Sequence, residues 1–453
     1  MNSPLSPRPP TADLAMPWDG EVANPIEEFS RVRAELGDTF AIEAPDTTYL
    51  FLFSPAGVQA FYAVEEAVAS KGIADWQMLR RKLPDELFLD RRTFPHDLFA
   101  RDDVAAYLDL VRDVLATTRA ELGDDGDFDV FSFTRRLGHR IGLTTWAGPC
   151  GQPGARLDAL IEALDALDGA AAFVEPGGMQ EIAANGKATE YAALARAEEL
   201  IAEAIAERDA EPVRFEDHFQ RIVDAWAGEP NRAQGIARDV VLVHLGSMSN
   251  LFAALGWYLI DVVSRPAVLA AVRAGDRDVA ERSALESLRL SQRSVMMRAV
   301  SKPCVIDDGT TQYSVERGVT LATLLPLTNT EGLDLEQWDP DRWQRRRLRA
   351  DRLPAARELV TTFGHGPHTC PAQPFSLSVM TESVMDLVGH YDFTPHFASP
   401  TPVPGQIGGV ARASTPCPMT YQARPSPHPS RREERRPSRE LTRAELAERA
   451  ARQ

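Results

Sequence analysis

Cysteine is scarce in this sequence: Cys150, Cys304, Cys370 and Cys417 are the only four in 453 residues, and no two form a CxxC pair. That spacing is neither a disulfide framework nor a zinc motif, and it fits a reducing cytosol. Basic charge is short as well, with 49 Lys and Arg against 66 Asp and Glu and a formal net charge of -17. Nucleic-acid binders carry a basic footprint, so the balance argues against DNA or RNA as the main partner; a solvated acidic surface is the plain reading. No run approaches the roughly 18 apolar residues of a membrane span. The opening MNSPLSPRPP has no apolar core of signal-peptide length. There is no internal repeat. These absences lead to the expectation of a cytoplasmic protein with no membrane contact.

What is present is globular: 44% of residues are hydrophobic and 25% charged. Residues 1–20 are proline-rich and read as a flexible arm, 21–424 as one domain, and 425–453 as a low-complexity tail of Arg, Glu, Pro and Ser expected to be disordered. Helical spacing runs from Ile26 to Leu36 and from Pro55 to about Ala69, and YLFLF at 49–53 reads as a strand. Trp76 to Phe88 reads as irregular or a short helix. Asp102 and Asp103 stand where a helix N-cap belongs, before a helix to about Leu122. Residues 234–264 form the longest helical candidate, apolar on all sides and ended by Pro266. Gly246 and Ser247 sit near its middle, where a kink is easiest. A shorter helix is expected at Ala280–Leu290, a hairpin around Asp307-Asp308-Gly309, a long loop over 326–362 and a final helix from about Pro374 to Gly389.

One cysteine has chemical surroundings. Cys370 ends Phe363-Gly364-His365-Gly366-Pro367-His368-Thr369-Cys370 and precedes that final helix. A thiolate offered to a flat macrocycle needs a tight loop. Glycines let backbone approach closely, and a helix starting after the sulfur turns its positive end towards it. The segment resembles the haem loop of the cytochromes P450, F-x-x-G-x-x-x-C. Glu286 and Arg289 match the family's E-x-x-R, a spacing that places both on one helical face. Arg298 follows at a position where P450s place a propionate-binding cation, and Pro340-Asp341-Arg342-Trp343 resembles their P-x-R-F/W loop. Phe88, Arg92 and Phe99 fall where the family has an aromatic, a propionate-binding residue and a phenylalanine.

The resemblance covers roughly residues 20–424 and implies a mainly α fold with small β-sheets enclosing haem b. By the same resemblance Cys370 is the axial iron ligand, and Phe363, Gly364 and Gly366 shape the loop around it. His368, Arg298 and Arg92 would hold the propionates. Arg342 would join Glu286 and Arg289 in a buried triad. Trp76, Met78, Phe173 and Leu251 would line the substrate pocket with Val295, Met296 and Met297, next to Ser247 and Asn250. Methionine-rich lining suits an adaptable, mostly apolar substrate. The alanine- and arginine-rich composition points to a GC-rich bacterial genome and small-molecule biosynthesis, and a monomer is expected. The basic run Arg342–Arg352 stands on the side where P450s dock electron donors, so ferredoxin, with its reductase, is the expected protein partner.

Two departures bear on the reaction. Where the family has A/G-G-x-D/E-T, this chain has Gly246-Ser247-Met248-Ser249-Asn250, so the acid–alcohol pair that relays protons is absent. Asn250 offers an amide, neither acid nor base, as in the prostacyclin-synthase and allene-oxide-synthase branches. After the cysteine, C-x-G becomes Cys370-Pro371-Ala372, and proline has no N–H to point at the sulfur. Three readings stay open: an enzyme that cleaves an O–O or N–O bond already in its substrate, with Ser247, Ser249 and Asn250 as the polar groups; a ferredoxin-dependent monooxygenase; and a non-enzymatic haem sensor.

Overall fold

A computed structural model describes residues 7–99, 103–169, 172–211, 217–332 and 334–425. Asp102, residues 1–6 and the expected tail from 426 lie outside the described residues.

Helices dominate, with small sheets at the edge of the helical body. At its centre runs the helix Arg232–Val263, 32 residues long, unbroken through Gly246 and Ser247. Among the described residues it alone is long and apolar enough to cross a membrane, but 67% of its most apolar stretch is buried inside the molecule. Its burial follows from close packing. A Cβ on Gly235 would fall 2.2 Å from the Trp226 ring, and one on Gly138 of the neighbouring helix 2.2 Å from Phe252. That neighbour, Val130–Trp146, starts at Asp129, whose carboxylate accepts from the Ser132 amide. Arg277–Ser291, Ala188–Ala210 and Gln373–His390 also pack on the long helix. Pro266 opens the next helix at its first position, as its missing N–H allows.

The main sheet has five strands, in the order Thr39–Glu43, Thr48–Leu52, Thr320–Leu324, Val295–Val300, Ala69–Ser70. The first pair is antiparallel with Thr39 opposite Leu52; the second and third strands run parallel. Phe40, Phe51 and Phe53 stack on one face beneath Phe29. The Asp307-Asp308-Gly309 hairpin forms between Cys304–Asp307 and Gln312–Val315.

Three expectations change here. The helix that starts at Pro55 ends at Ala63 rather than near Ala69, which belongs to the edge strand Ala69–Ser70. Residues 7–20 are packed rather than loose: Thr11 bridges to Ala41, and Met16 and Trp18 are buried, Trp18 against Tyr49. Proline prevented a periodic pattern there, but three apolar side chains still found a place on the sheet face. The Trp76–Phe88 segment begins with a full helix, Lys71–Lys82, capped by the Ser70 hydroxyl, and only then turns irregular.

Candidate functional site

Cys370 sits at the floor of a cavity of about 430 Å³ between its own loop and the middle of the long helix. The loop is drawn tight by three backbone features. The Cys370 amide donates to the Phe363 carbonyl at 2.7 Å, and the Gly364 amide donates to Thr361 Oγ1 at 2.7 Å. Gly364 has a φ of +84°, where a Cβ would lie 2.4 Å from the His368 carbonyl oxygen; only glycine fits this turn. Gly366 also takes a positive φ, of +57°, and opens a short 3₁₀ turn to His368. The helix Gln373–His390 then starts behind the sulfur. Burial pushes the Cys370 thiol pKa up, while the amides of Ala372 and Gln373 and the ammonium of Lys71 pull it back down. Pro371 donates nothing, and the Gln373 amide donates to the Cys370 carbonyl at 3.1 Å.

Across the cavity stand Gly246, Ser247 and Asn250. Gly246 and Asn250 are exposed although the helix around them is core, because they face the cavity. Nothing lies within 4 Å of where a Gly246 Cβ would stand, so the opening extends to the helix backbone. Asn250 Oδ1 accepts from the Val410 amide at 3.0 Å. Its Nδ2 has no hydrogen-bond partner among the described residues, so a donor remains on the cavity side. Leu251, Met296, Phe363 and Met380 make the lining largely apolar.

A second lobe, also about 430 Å³, continues outward past Gly246 and Asn250. Met78, Phe173, Val295 and Met297 line it, and so does Ser249. The sequence-expected pocket residues therefore divide between two lobes that share Asn250. Trp76 is the exception: it is 43% exposed, stacks on Arg80 and faces a separate cavity next to the main sheet. The helix Lys71–Lys82 turns one side to each cavity, and Trp76 falls on the outer one.

Glu286, Arg289 and Arg342 meet in the core. Arg289 Nε and Nη2 donate to the two Glu286 oxygens at 2.9 and 2.6 Å, and Arg342 Nε approaches Oε1 at 3.3 Å. Trp343 Nε1 and the Asp339 amide complete the carboxylate's shell at 2.8 and 3.0 Å. This cluster ties the helix Arg277–Ser291 to the loop that leads to Cys370.

Of the expected propionate-binding residues, His368 reaches the cavity and Arg298 and Arg92 do not. Arg298 is fully buried beside it, close enough to disfavour His368 protonation, but its guanidinium already donates to the carbonyls of Ala69, Phe61 and Val64. Arg92 is displaced by its neighbour. Buried Asp239 on the long helix accepts from the Thr93 amide and hydroxyl and pairs with Arg91 at 3.4 Å. Arg91 thus turns inward and Arg92 outward, to Glu229 at 3.1 Å. The cation that does line the cavity is Lys71, which pairs with Asp75 and was not foreseen. Its only sequence signal is its place after a serine that can cap a helix.

The basic run is largely neutralised. Arg342 is buried, while Arg346, Arg349 and Arg352 pair with Glu281, Asp351 and Asp339. Arg345 and Arg347 remain exposed without an ion pair among the described residues.

Beyond the second lobe lies a polar network. Trp146 Nε1 donates to His244 Nδ1 at 3.3 Å, which leaves His244 Nε2 to donate to His139 Nδ1 at 2.9 Å and His139 Nε2 to donate to Asp165 at 2.7 Å. Burial holds the pKa of His244 well below the ordinary histidine value and lowers that of His139, so both rings are neutral near pH 7.

These residues suit a macrocyclic metal cofactor on the chemistry of the donors. Among the described residues no cluster of three His, Cys, Asp or Glu side chains is placed to hold a metal ion. A single cysteine sulfur, in an apolar slot with a cationic edge, suits a metal that brings its other ligands with it. No protein-family model matches this chain, and no curated protein matches it either.

Proposed function

We propose that the chain is a haem-thiolate enzyme of the cytochrome P450 type that binds haem b and acts on a small, largely apolar molecule, in a setting of bacterial specialised metabolism. The observation that carries this reading is the placement of Cys370, on its tight loop, opposite Gly246 and Asn250 across one apolar cavity. When bound, the haem would supply a redox-active iron whose reactivity towards an O–O or N–O bond is enhanced by a thiolate ligand. Cys370 would be that ligand, Phe363 and Gly364 would bed the macrocycle, and Lys71 and His368 would meet its propionates. The outer lobe, with Met78, Phe173, Val295 and Met297, would orient the substrate and exclude water.

Asn250 favours chemistry on a substrate that carries its own O–O or N–O bond. Its Nδ2 can hold a substrate oxygen, but an amide cannot protonate one. Ferredoxin-dependent monooxygenation is the second reading, favoured by one contact: Ser249 Oγ donates to the carboxylate of Asp168 at 2.8 Å. Substrate turnover of a hydroperoxide without reductant supports the first; turnover only with NADPH, reductase and ferredoxin supports the second.

The test of the common premise is optical. The protein is reduced with dithionite, carbon monoxide is added and the Soret band recorded. A P450-type red-shifted band, lost in Cys370→Ser, is the expected result. A haem-free, well-folded preparation that also takes up no added haem overturns the reading.

A further inference from the structure

The acid missing from the long helix has a counterpart elsewhere. Asp168 is the last residue of the helix Ala155–Asp168, which ends at Gly169 in a left-handed conformation with a φ of +53°. Its carboxylate reaches Ser249, the position at which a P450 would carry the acid itself. We propose that Asp168 acts as a positioning residue through Ser249, the pair forming the inner end of a proton path into the cavity. This rests on the haem-thiolate reading and deepens it.

Four observations converge. Ser249 Oγ donates to Asp168 Oδ1 at 2.8 Å. Both residues line the outer lobe together with Asn250, which also lines the lobe holding Cys370. Asp168 is held by cations from three other segments: Lys82 at 3.6 Å, Arg135 at 3.5 Å and Arg412 at 3.5 Å. Finally, Arg135 also pairs with Asp165, whose side chain is 37% exposed, so a charged track joins the surface to the cavity.

Burial would raise the Asp168 pKa, but Lys82, Arg135, Ser249 and Arg412 outweigh it and keep the carboxylate ionised. An ionised Asp168 is an acceptor and anchor, not a proton store. In the relay, the Ser249 hydroxyl turns from Asp168, where its proton rests, to donate that proton to an acceptor in the cavity. A water accepted by the Asp168 carboxylate meanwhile donates one to Ser249 Oγ, and that water is re-protonated from solvent. One proton enters from solvent for each delivered, and no net charge stays on the pair. The histidine pair runs from Trp146 to Asp165, at the outer end of this track, and no hydrogen bond joins it to Ser249 among the described residues.

The test uses carbon monoxide on the dithionite-reduced protein, with the C–O stretch read by infrared spectroscopy in H₂O and D₂O. Wild type is compared with Ser249→Ala, Asp168→Asn and the double variant. The expected result is a shift of the band in both single variants, in the same direction, with no further shift in the double variant and loss of the solvent-isotope sensitivity. Ser249→Ala leaves the ion cluster intact and decides the matter even where Asp168→Asn fails to fold: an unmoved band with unchanged isotope sensitivity overturns the relay. A shift in Ser249→Ala with none in a folded Asp168→Asn overturns the role of Asp168. Absence of any carbon monoxide adduct in wild type overturns the haem reading, and the inference with it.

Discussion

A methyl group at Gly364 would meet the His368 carbonyl at 2.4 Å, at a backbone angle that L-residues rarely adopt. Gly364→Ala is therefore expected to cost at least about 1–3 kcal/mol in the loop and to loosen the presentation of Cys370. Thermal unfolding together with the haem retained through gel filtration would show it; unchanged values would mean that the loop has slack. Pro371 has a different effect. It contributes no amide, and the Gln373 amide is taken by the Cys370 carbonyl. Pro371→Leu adds an N–H next to the thiolate, and more donors leave less charge on the sulfur. An optical redox titration should then show a higher potential than in wild type, and an equal or lower one removes the argument. The Cys370 loop was legible from sequence because all its parts lie within eight consecutive residues. Lys71 was not, since nothing local says that a lysine at a helix start faces a cavity.

At the scale of elements, one carboxylate is the hub of the contacts between the helix Arg277–Ser291 and the loop beyond it, to which Arg289 adds bonds to the carbonyls of Asn329 and Leu335. Glu286 serves Arg289, Arg342, the Trp343 indole and the Asp339 amide, all buried or half-buried. Removing one partner of a buried charge cluster leaves the others desolvated and unpaired. Glu286→Ala should lower stability by about 3–5 kcal/mol, read as a fall in the urea midpoint with little change in slope. Glu286→Gln, which keeps an acceptor, should lose less. The three residues were legible as a group because two share a helical turn and the third belongs to a short motif. Arg92 and Arg298 show where such reading stops. Each occupies a fitting place in the sequence, but Asp239 selects Arg91 over Arg92, and three carbonyls engage Arg298. A charged side chain goes to the partner that packing brings nearest, and spacing along the chain does not name that partner.

The whole molecule should be acid-sensitive in two stages. His139 and His244 have folded-state pKa values below 6.5, so unfolding takes up protons as they are released into water. Their contribution is full above the unfolded value and declines as pH falls below it. Asp168 also has a lowered pKa, so its contribution holds above the ordinary carboxylate value of 3.8 and is lost only below that. Unfolding midpoints measured from about pH 8 down to about pH 3 should decline first below about 6.5 and again near the acid end. Asp168→Asn should shrink the second stage and leave the first; Asp165, Asp103 and Glu382, whose pKa values are also lowered, keep part of it. By itself the sequence determined the helix-rich class, the long buried helix, the strand at 49–53, the hairpin at Asp307-Asp308-Gly309 and the cysteine loop, because each is written in local periodicity or in a contiguous motif. Only the tertiary structure decided that the N-terminal segment packs on the sheet, that Trp76 faces away from the main cavity, and that a carboxylate 81 positions before Ser249 meets it. Those outcomes depend on which faces meet when separate elements pack, and that is a property of the assembled core rather than of any stretch of chain.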